Sequence, residues 1–432
     1  MTFQCCMSIE GNRILNPDRM NAKNLEWSPA KKFGILFFSV FFFLQIVPML
    51  SRFFLGNENM DLFYYPSFFV QNYILQLHDI PRWTHVPSGG ADTLNDWVQQ
   101  LAYILIAVIA AGIGTALIKN KRGYSSLYQW TKIAVRYFLG SVMLLYGIQK
   151  LFLLQMVYPE LSYFYTPLGD FTPMDLAWTF VGYSPAYQFI GGLLEVTAAL
   201  LIFFRRTLVL GLLIFLGVMS NVLMLNYLYG VAVKTFSTTL VLMGLFLLDE
   251  YIPKLINFLL LQKPSRIEIP ALNIVTPWKR KGRFILKYGY ISLGTLWIII
   301  LQFQLSSRLN AYSPIVIEGA YDVHVFDTNG IENPDYFDEE RWNQVVVNES
   351  RDGLTSSGHV SLGTTKRELA TFEIDSLNQL SVTFHRDSSM VFNGQHQLSE
   401  DSFIWTGTIG KDSIRMVLQD RKSTRLNSSH YS

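Results

Sequence analysis

The chain has 432 residues, half of them hydrophobic, and only 16% are charged, against about a quarter in soluble domains. Several apolar runs of membrane-spanning length lie between residues 33 and 304 and none lies beyond 310, which excludes a soluble enzyme, a disordered regulator and a fibrous protein. A formal net charge of +2 argues against a nucleic-acid partner.

In chain order, residues 1–32 read as a basic cytoplasmic segment that holds both cysteines, Cys5 and Cys6. Neighbouring cysteines rarely form a structural disulfide, and no CxxC is present, so thiol-relay chemistry is not expected. Spans are predicted at about 33–50, 97–118, 131–154, 187–204, 207–228, 233–249 and 284–304, each long enough for a core of about 30 Å. The first two, with their outer loop, make up 33–130, a four-helix core fills 131–250, and 251–283 is a cytoplasmic loop before the seventh span. None of the seven histidines falls in an apolar run, so the spans supply no haem ligand.

Basic residues set the expected orientation. The segment 1–32, the pair Arg205-Arg206 and the loops around Lys119 and Lys279 carry nearly all of them near the spans, whereas the alternate loops and their edges carry only Arg52, Arg82 and Lys234. The N-terminus is therefore expected in the cytoplasm and residues 305–419 outside, as for a bacterial inner-membrane protein. The outer loops are aromatic, with Phe63, Tyr64, Tyr65, Phe68, Phe69 and Tyr73 in the first and Tyr158, Tyr163, Phe164 and Trp178 in the third. Thr172-Pro173 followed by Asp175 predicts a short surface helix at about 173–180.

Residues 305–419 change period. Alternating runs at 315–326, 344–347, 359–362, 380–384 and 414–418, with turn signals Asn329-Gly330, Asp352-Gly353 and Asn393-Gly394, predict a small antiparallel barrel or sandwich. Asn348-Glu349-Ser350 is a sequon expected to be unused. The string DRKSTRLNSSH at 420–430 is the translation of a sequencing adapter, so 420–432 are set aside as artefact. The β-domain is then expected to be truncated at Gln419, with an open edge. The fold class is thus a mainly α-helical transmembrane bundle of seven spans followed by a small, truncated all-β domain.

The polar residues inside the spans are the candidate site. Arg136, Gly140, Met143, Gly147 and Lys150 are spaced 4, 3, 4 and 3 and share one helix face, with Tyr146 one turn before Lys150. Glu195 lies mid-span between Gly191 and Ala199, a small-residue face expected to point into the bundle. A lone carboxylate at that depth is costly, so Lys150 or Arg136 is expected as its partner, Lys150 first, with Asn221 completing the network.

RYFLGSVMLLYGIQK at 136–150, GYSPAYQFIGGLLEVTAALLIFFRR at 182–206 and GVMSNVLMLNYLYGVAVK at 217–234 resemble the DoxX-like integral membrane family. Gly89-Gly90-Ala91-Asp92-Thr93 and Lys411-Asp412-Ser413-Ile414-Arg415 resemble a longer subgroup with flanking spans and an extracytoplasmic β-domain. The resemblance implies a four-helix core, a link to quinol- or thiosulfate-oxidising complexes or to redox stress, and a role by position for Arg136, Lys150 and Glu195. An accessory subunit of a quinone-linked redox system is therefore the first functional expectation. A proton or small-substrate transporter and a non-enzymatic anchor presenting the β-domain are the alternatives. The implied partners are the lipid bilayer and other membrane redox subunits or an extracytoplasmic protein, and quinone is the implied cofactor. No P-loop, GxGxxG, HExxH or GxSxG occurs in a matching context, so no catalytic residue or metal ligand is assigned.

Overall fold

The computed structural model describes residues 28–55, 70, 74–75, 92–118, 121–264, 276–309, 315, 317–350, 353–364, 366–386, 390–399 and 402–421. The cysteine-bearing N-terminal segment, the aromatic cluster of the first loop and residues 422–432 lie outside this set. The chain divides into two units, 1–135 and 136–432, and the division falls inside one continuous helix.

In the first unit, α1 (Pro29–Leu55) packs along α2 (Leu94–Leu117) and the first half of α3 (Lys121–Leu151). Thr93 and Asp96 start α2 with a reciprocal capping box. The buried hydroxyls of Ser39 and Thr131 meet at 2.7 Å, so a polar pair in an apolar contact is satisfied within the protein.

The second unit holds the rest of α3, then α4 (Leu161–Phe164), α5 (Pro173–Tyr183), α6 (Pro185–Phe203), α7 (Leu208–Leu228), α8 (Lys234–Leu248), α9 (Ile252–Leu259) and α10 (Pro277–Leu309). Among the described residues, six helices are long and apolar enough to cross a membrane: α1, α2, α3, α6, α7 and α10. The apolar α8 has 15 residues, about 22 Å at the helical rise, and is the shortest of the seven expected spans. Several helices outrun their predicted bounds, α1 at both ends. Polar turns extend α3 back to Lys121 and α10 back to Pro277, because hydropathy marks the apolar stretch and not the end of the backbone ladder. The expected loop 251–283 contains α9, whose exposed Ile256 and Leu259 make it apolar on its outer side. The short helix expected at 173–180 is α5, started by Thr172 and Asp175 as a capping box with Pro173 in its first turn.

Residues 319–420 form a closed, up-and-down barrel. The strands are β1 (Gly319–Thr328), the short β2 (Ile331–Glu332), β3 (Trp342–Val347), β4 (Thr355–Leu362), β5 (Lys366–Ile374), β6 (Gln379–Phe384), β7 (Val391–Ser399), β8 (Ser402–Ile409) and β9 (Asp412–Asp420). Neighbours from β3 to β9 pair antiparallel in sequence order, β1 pairs β3, and β9 returns to β1. The ring therefore has eight strands, with β2 as a hairpin arm on β1. The open edge expected from truncation at Gln419 is absent, since Leu418 pairs Val323 and Gln419 pairs Asp322. Asp420 also pairs with Tyr321, and the Arg421 amide donates to the Ala320 carbonyl at 2.9 Å, so these first two residues of the set-aside tail belong to the barrel.

The predicted runs fall on β1, β3, β4, β6 and β9, and burial alternates clearly in β6 and β9 but only in part in β1, β3 and β4, while β2, β5, β7 and β8 were not predicted. Asn393-Gly394 is not a turn. It lies within β7, where Gly394 faces Gly407 of β8, and a Cβ on Gly394 would strike the Thr406 carbonyl and the Phe392 ring. The two glycines bring strands close enough for large rings to fill the interior, where Trp342, Phe372, Phe392 and Trp405 are fully buried. This barrel is a packed core and not a ligand cup.

The barrel is tied to the helices of its own unit. Asn348, 3% exposed, accepts from the Ser162 amide (2.8 Å) and donates to Glu160 Oε2 (2.7 Å) and Ser357 Oγ (3.1 Å). Arg367 Nη1 reaches Asp170 Oδ2 at 3.3 Å. The sequon asparagine is thus spent on the mount of the barrel, which leaves no room for a glycan.

Candidate functional site

The residues of α6 that turn inward are Gln188, Gly192, Glu195, Ala199 and Ile202, spaced 4, 3, 4 and 3. On α3 the buried stripe is Arg136, Gly140, Met143, Gly147 and Lys150, with the same spacing. Both stripes follow from the 3.6-residue turn, and both put a small residue where the helices meet. A Cβ on Gly147 would lie 2.9 Å from the Val196 amide nitrogen and 3.0 Å from Glu195 Cβ. A Cβ on Gly192 would lie 2.7 Å from the Gly147 carbonyl oxygen and 2.8 Å from Lys150 Cβ. The two backbones therefore touch, and the contact delivers the Lys150 and Glu195 side chains to each other.

Lys150 Nζ donates to Glu195 Oε1 at 2.6 Å. The residues are 9% and 2% exposed, so the pair is shielded by protein and by apolar helices. Separating these charges from water is expensive, and only a short charge-assisted bond offsets it. Half of the carboxylate is used. Glu195 Oε2 is buried and accepts no hydrogen bond among the described residues. Tyr146 stands one turn before Lys150 on the same face, half-buried, with its ring 6.4 Å from that of Phe236 on α8.

Two expected members lie elsewhere. Arg136 is 14 residues before Lys150 on the same helix, about 21 Å along it at the helical rise, and its guanidinium sits 5.2 Å from the Tyr137 ring centre. It does not partner Glu195. Asn221 is exposed, as is Gly217 on the same face of α7. The buried stripe of α7 is Leu212, Met219 and Asn226, seven residues apart, and Asn221 is 140° round the helix from Asn226.

Two buried polar residues were not anticipated. Gln188, two turns before Glu195, donates through Nε2 to the Met156 carbonyl (2.9 Å) and accepts the Met156 amide through Oε1 (2.8 Å). It pins the chain leaving α3 against the start of α6. Asn226 is 4% exposed, and its Nδ2 has no partner among the described residues. The sevenfold repeat from Leu212 was the signal that could have found it.

Comparison with known proteins adds one relative. The chain is 37% identical over 116 residues to the "Uncharacterized protein YwoB" of Bacillus subtilis (strain 168), a stretch that is 26% of this chain and 71% of that protein. No family model matches the chain. No solved structure matches it.

Proposed function

We propose that this chain, which belongs to the family of the Bacillus subtilis protein YwoB, is an accessory subunit of a quinone-linked redox system in the bacterial inner (cytoplasmic) membrane. The likeness of α3, α6 and α7 to DoxX-like proteins supports the redox assignment. The observation that carries the reading is the Lys150–Glu195 pair with one carboxylate oxygen unsatisfied. A carboxylate oxygen left open in an apolar bundle is an acceptor for a hydroxyl, and a quinol head is an apolar ring that carries such a hydroxyl. Lys150 holds the Glu195 carboxyl in place through its short hydrogen bond, and Tyr146 offers a phenol donor on the same face for a quinone carbonyl. The chain binds and orients in this account and carries no electron itself. In the proposed topology seven spans place the N-terminus in the cytoplasm and the barrel outside.

One observation favours a second reading, in which the helices are an anchor that presents the barrel. The barrel interior is filled and its mount through Asn348 is polar and specific, which suits display of an outer surface to a partner.

Isolation of the full-length protein from its native membrane in mild detergent separates the two. The redox reading expects co-purifying redox subunits and bound quinone, with quinone lost in Glu195→Gln. Isolation with a partner but without quinone, unchanged by Glu195→Gln, supports the anchor instead.

A further inference from the structure

At the end of the second unit's helices opposite the ion pair, three elements bring cations together. Arg136 comes from α3, Arg205 from the turn after α6, and Arg283 and Lys287 from successive turns of α10. Aromatic contacts fix the convergence. The Tyr137 ring lies 5.8 Å from Phe203 and 5.5 Å from Tyr290, so α3, α6 and α10 meet there. Lys287 Nζ sits 4.2 Å from the centre of the Phe204 ring, next to Arg205. The charges act on one another: Lys287 feels Arg136, Arg283 and Arg205, and Arg205 feels Arg136 and Arg283. Carboxylates at this end, Asp249 and Glu250, act on Tyr251. The strongest charge acting on Arg136 from beyond its tyrosine neighbours is another cation, Arg283.

Arg136 makes this more than a basic fringe. It is only 8% exposed, and its Nε–H is buried with no acceptor among the described residues. An unpaired guanidinium N–H in the interior is costly, and like charges around it raise the cost. The depth is graded, with Arg136 buried, Lys287 half-buried and Arg283 exposed, so the cluster opens outward. A guanidinium with a buried Nε–H that lacks an acceptor, flanked by further cations and by aromatic rings, has a donor set that suits phosphate oxygens.

We propose that Arg136, Arg283 and Lys287, with Arg205 beside them, bind a phosphate-bearing anion where α3, the α6–α7 turn and α10 converge. The phosphate belongs to an anionic lipid headgroup or to a free phosphate, and basic pockets between membrane helices take the former. Oxygens of the ligand accept from Arg136 Nε and from Lys287.

The test uses purified full-length protein in detergent, with phosphatidylglycerol, phosphatidylcholine and inorganic phosphate as separate probes. Retention is read by native mass spectrometry and stabilisation by the melting temperature. Phosphatidylglycerol is expected to be retained and to raise the melting temperature while phosphatidylcholine does neither. The same stabilisation by inorganic phosphate alone assigns the site to free phosphate. Arg136→Gln and, separately, Lys287→Gln should weaken the effective probe about tenfold, the loss of one charge-assisted hydrogen bond. Lys287→Gln decides the matter if Arg136→Gln does not fold. Equal retention of phosphatidylcholine and phosphatidylglycerol without any phosphate effect, or undiminished binding in the folded variants, overturns the proposal.

Discussion

Lys150 and Glu195 are each too costly to bury alone, and each is held in place by the other at 2.6 Å. Lys150→Met strands Glu195 and should destabilise the protein by about 3–5 kcal/mol, whereas adding Glu195→Gln should recover part of that loss. Additive losses in this double-mutant cycle would mean that the two side chains do not support each other. In the barrel, His359 is 1% exposed with its Nε2 unpartnered. Burial, helped by repulsion from Arg367, pushes its imidazole down from 6.5 to about 4. As pH falls, the unfolded chain therefore binds this proton before the folded barrel does. The stability that neutral His359 contributes is complete above pH 6.5 and is lost as pH falls towards 4. A fall of about 3 kcal/mol across that window is expected, read by denaturant unfolding of the buried Trp342 and Trp405, and His359→Gln should flatten it. A wild-type barrel equally stable at both ends of the window would show that His359 is not buried neutral.

At the scale of elements, the crossing of α3 and α6 depends, on the α6 side, on Gly192 and not on its neighbour Gly191. A Cβ on Gly192 meets the Gly147 carbonyl oxygen at 2.7 Å, whereas one on Gly191 meets only Lys150 Cδ at 3.9 Å. Gly192→Ala should therefore cost about 1–3 kcal/mol and loosen the ion pair, while Gly191→Ala stays within about 0.5 kcal/mol. Equal melting temperatures for the two variants would contradict this packing. The 4-3-4-3 stripe on α3 was legible because apolar, small and charged residues all obey one helical period. On α6 the same period was legible in Glu195 but was read through Gly191, one residue off the true contact at Gly192. Asn221 misled because a polar residue in an apolar run attracts notice whichever way it faces, and only the repeat through Leu212 and Met219 tells its face from that of Asn226. In the barrel, β7 was hidden by Asn393-Gly394, a turn dipeptide whose glycine serves a close strand approach. Closure of β9 on β1 was not legible at all, since pairing between chain ends leaves no local signal.

For the whole molecule, the helices and the barrel have different kinds of interior. Among the described residues the helices enclose one carboxylate oxygen without a hydrogen bond, and the barrel, filled with aromatic rings, is held by Asn348 and Arg367 to the segment between α3 and α6. In the proposed role, what binds at Glu195 is close in sequence to the mount of the barrel. The proposal stands or falls on whether a quinone head meets Glu195. The most direct measurement is photoaffinity labelling of the full-length protein with an azido-quinone, followed by peptide mapping. The account predicts label on peptides of α3 and α6 around Tyr146 and Glu195, abolished by Glu195→Gln while the melting temperature shows the variant folded. Label spread evenly over the apolar helices, or unchanged in folded Glu195→Gln, would contradict it.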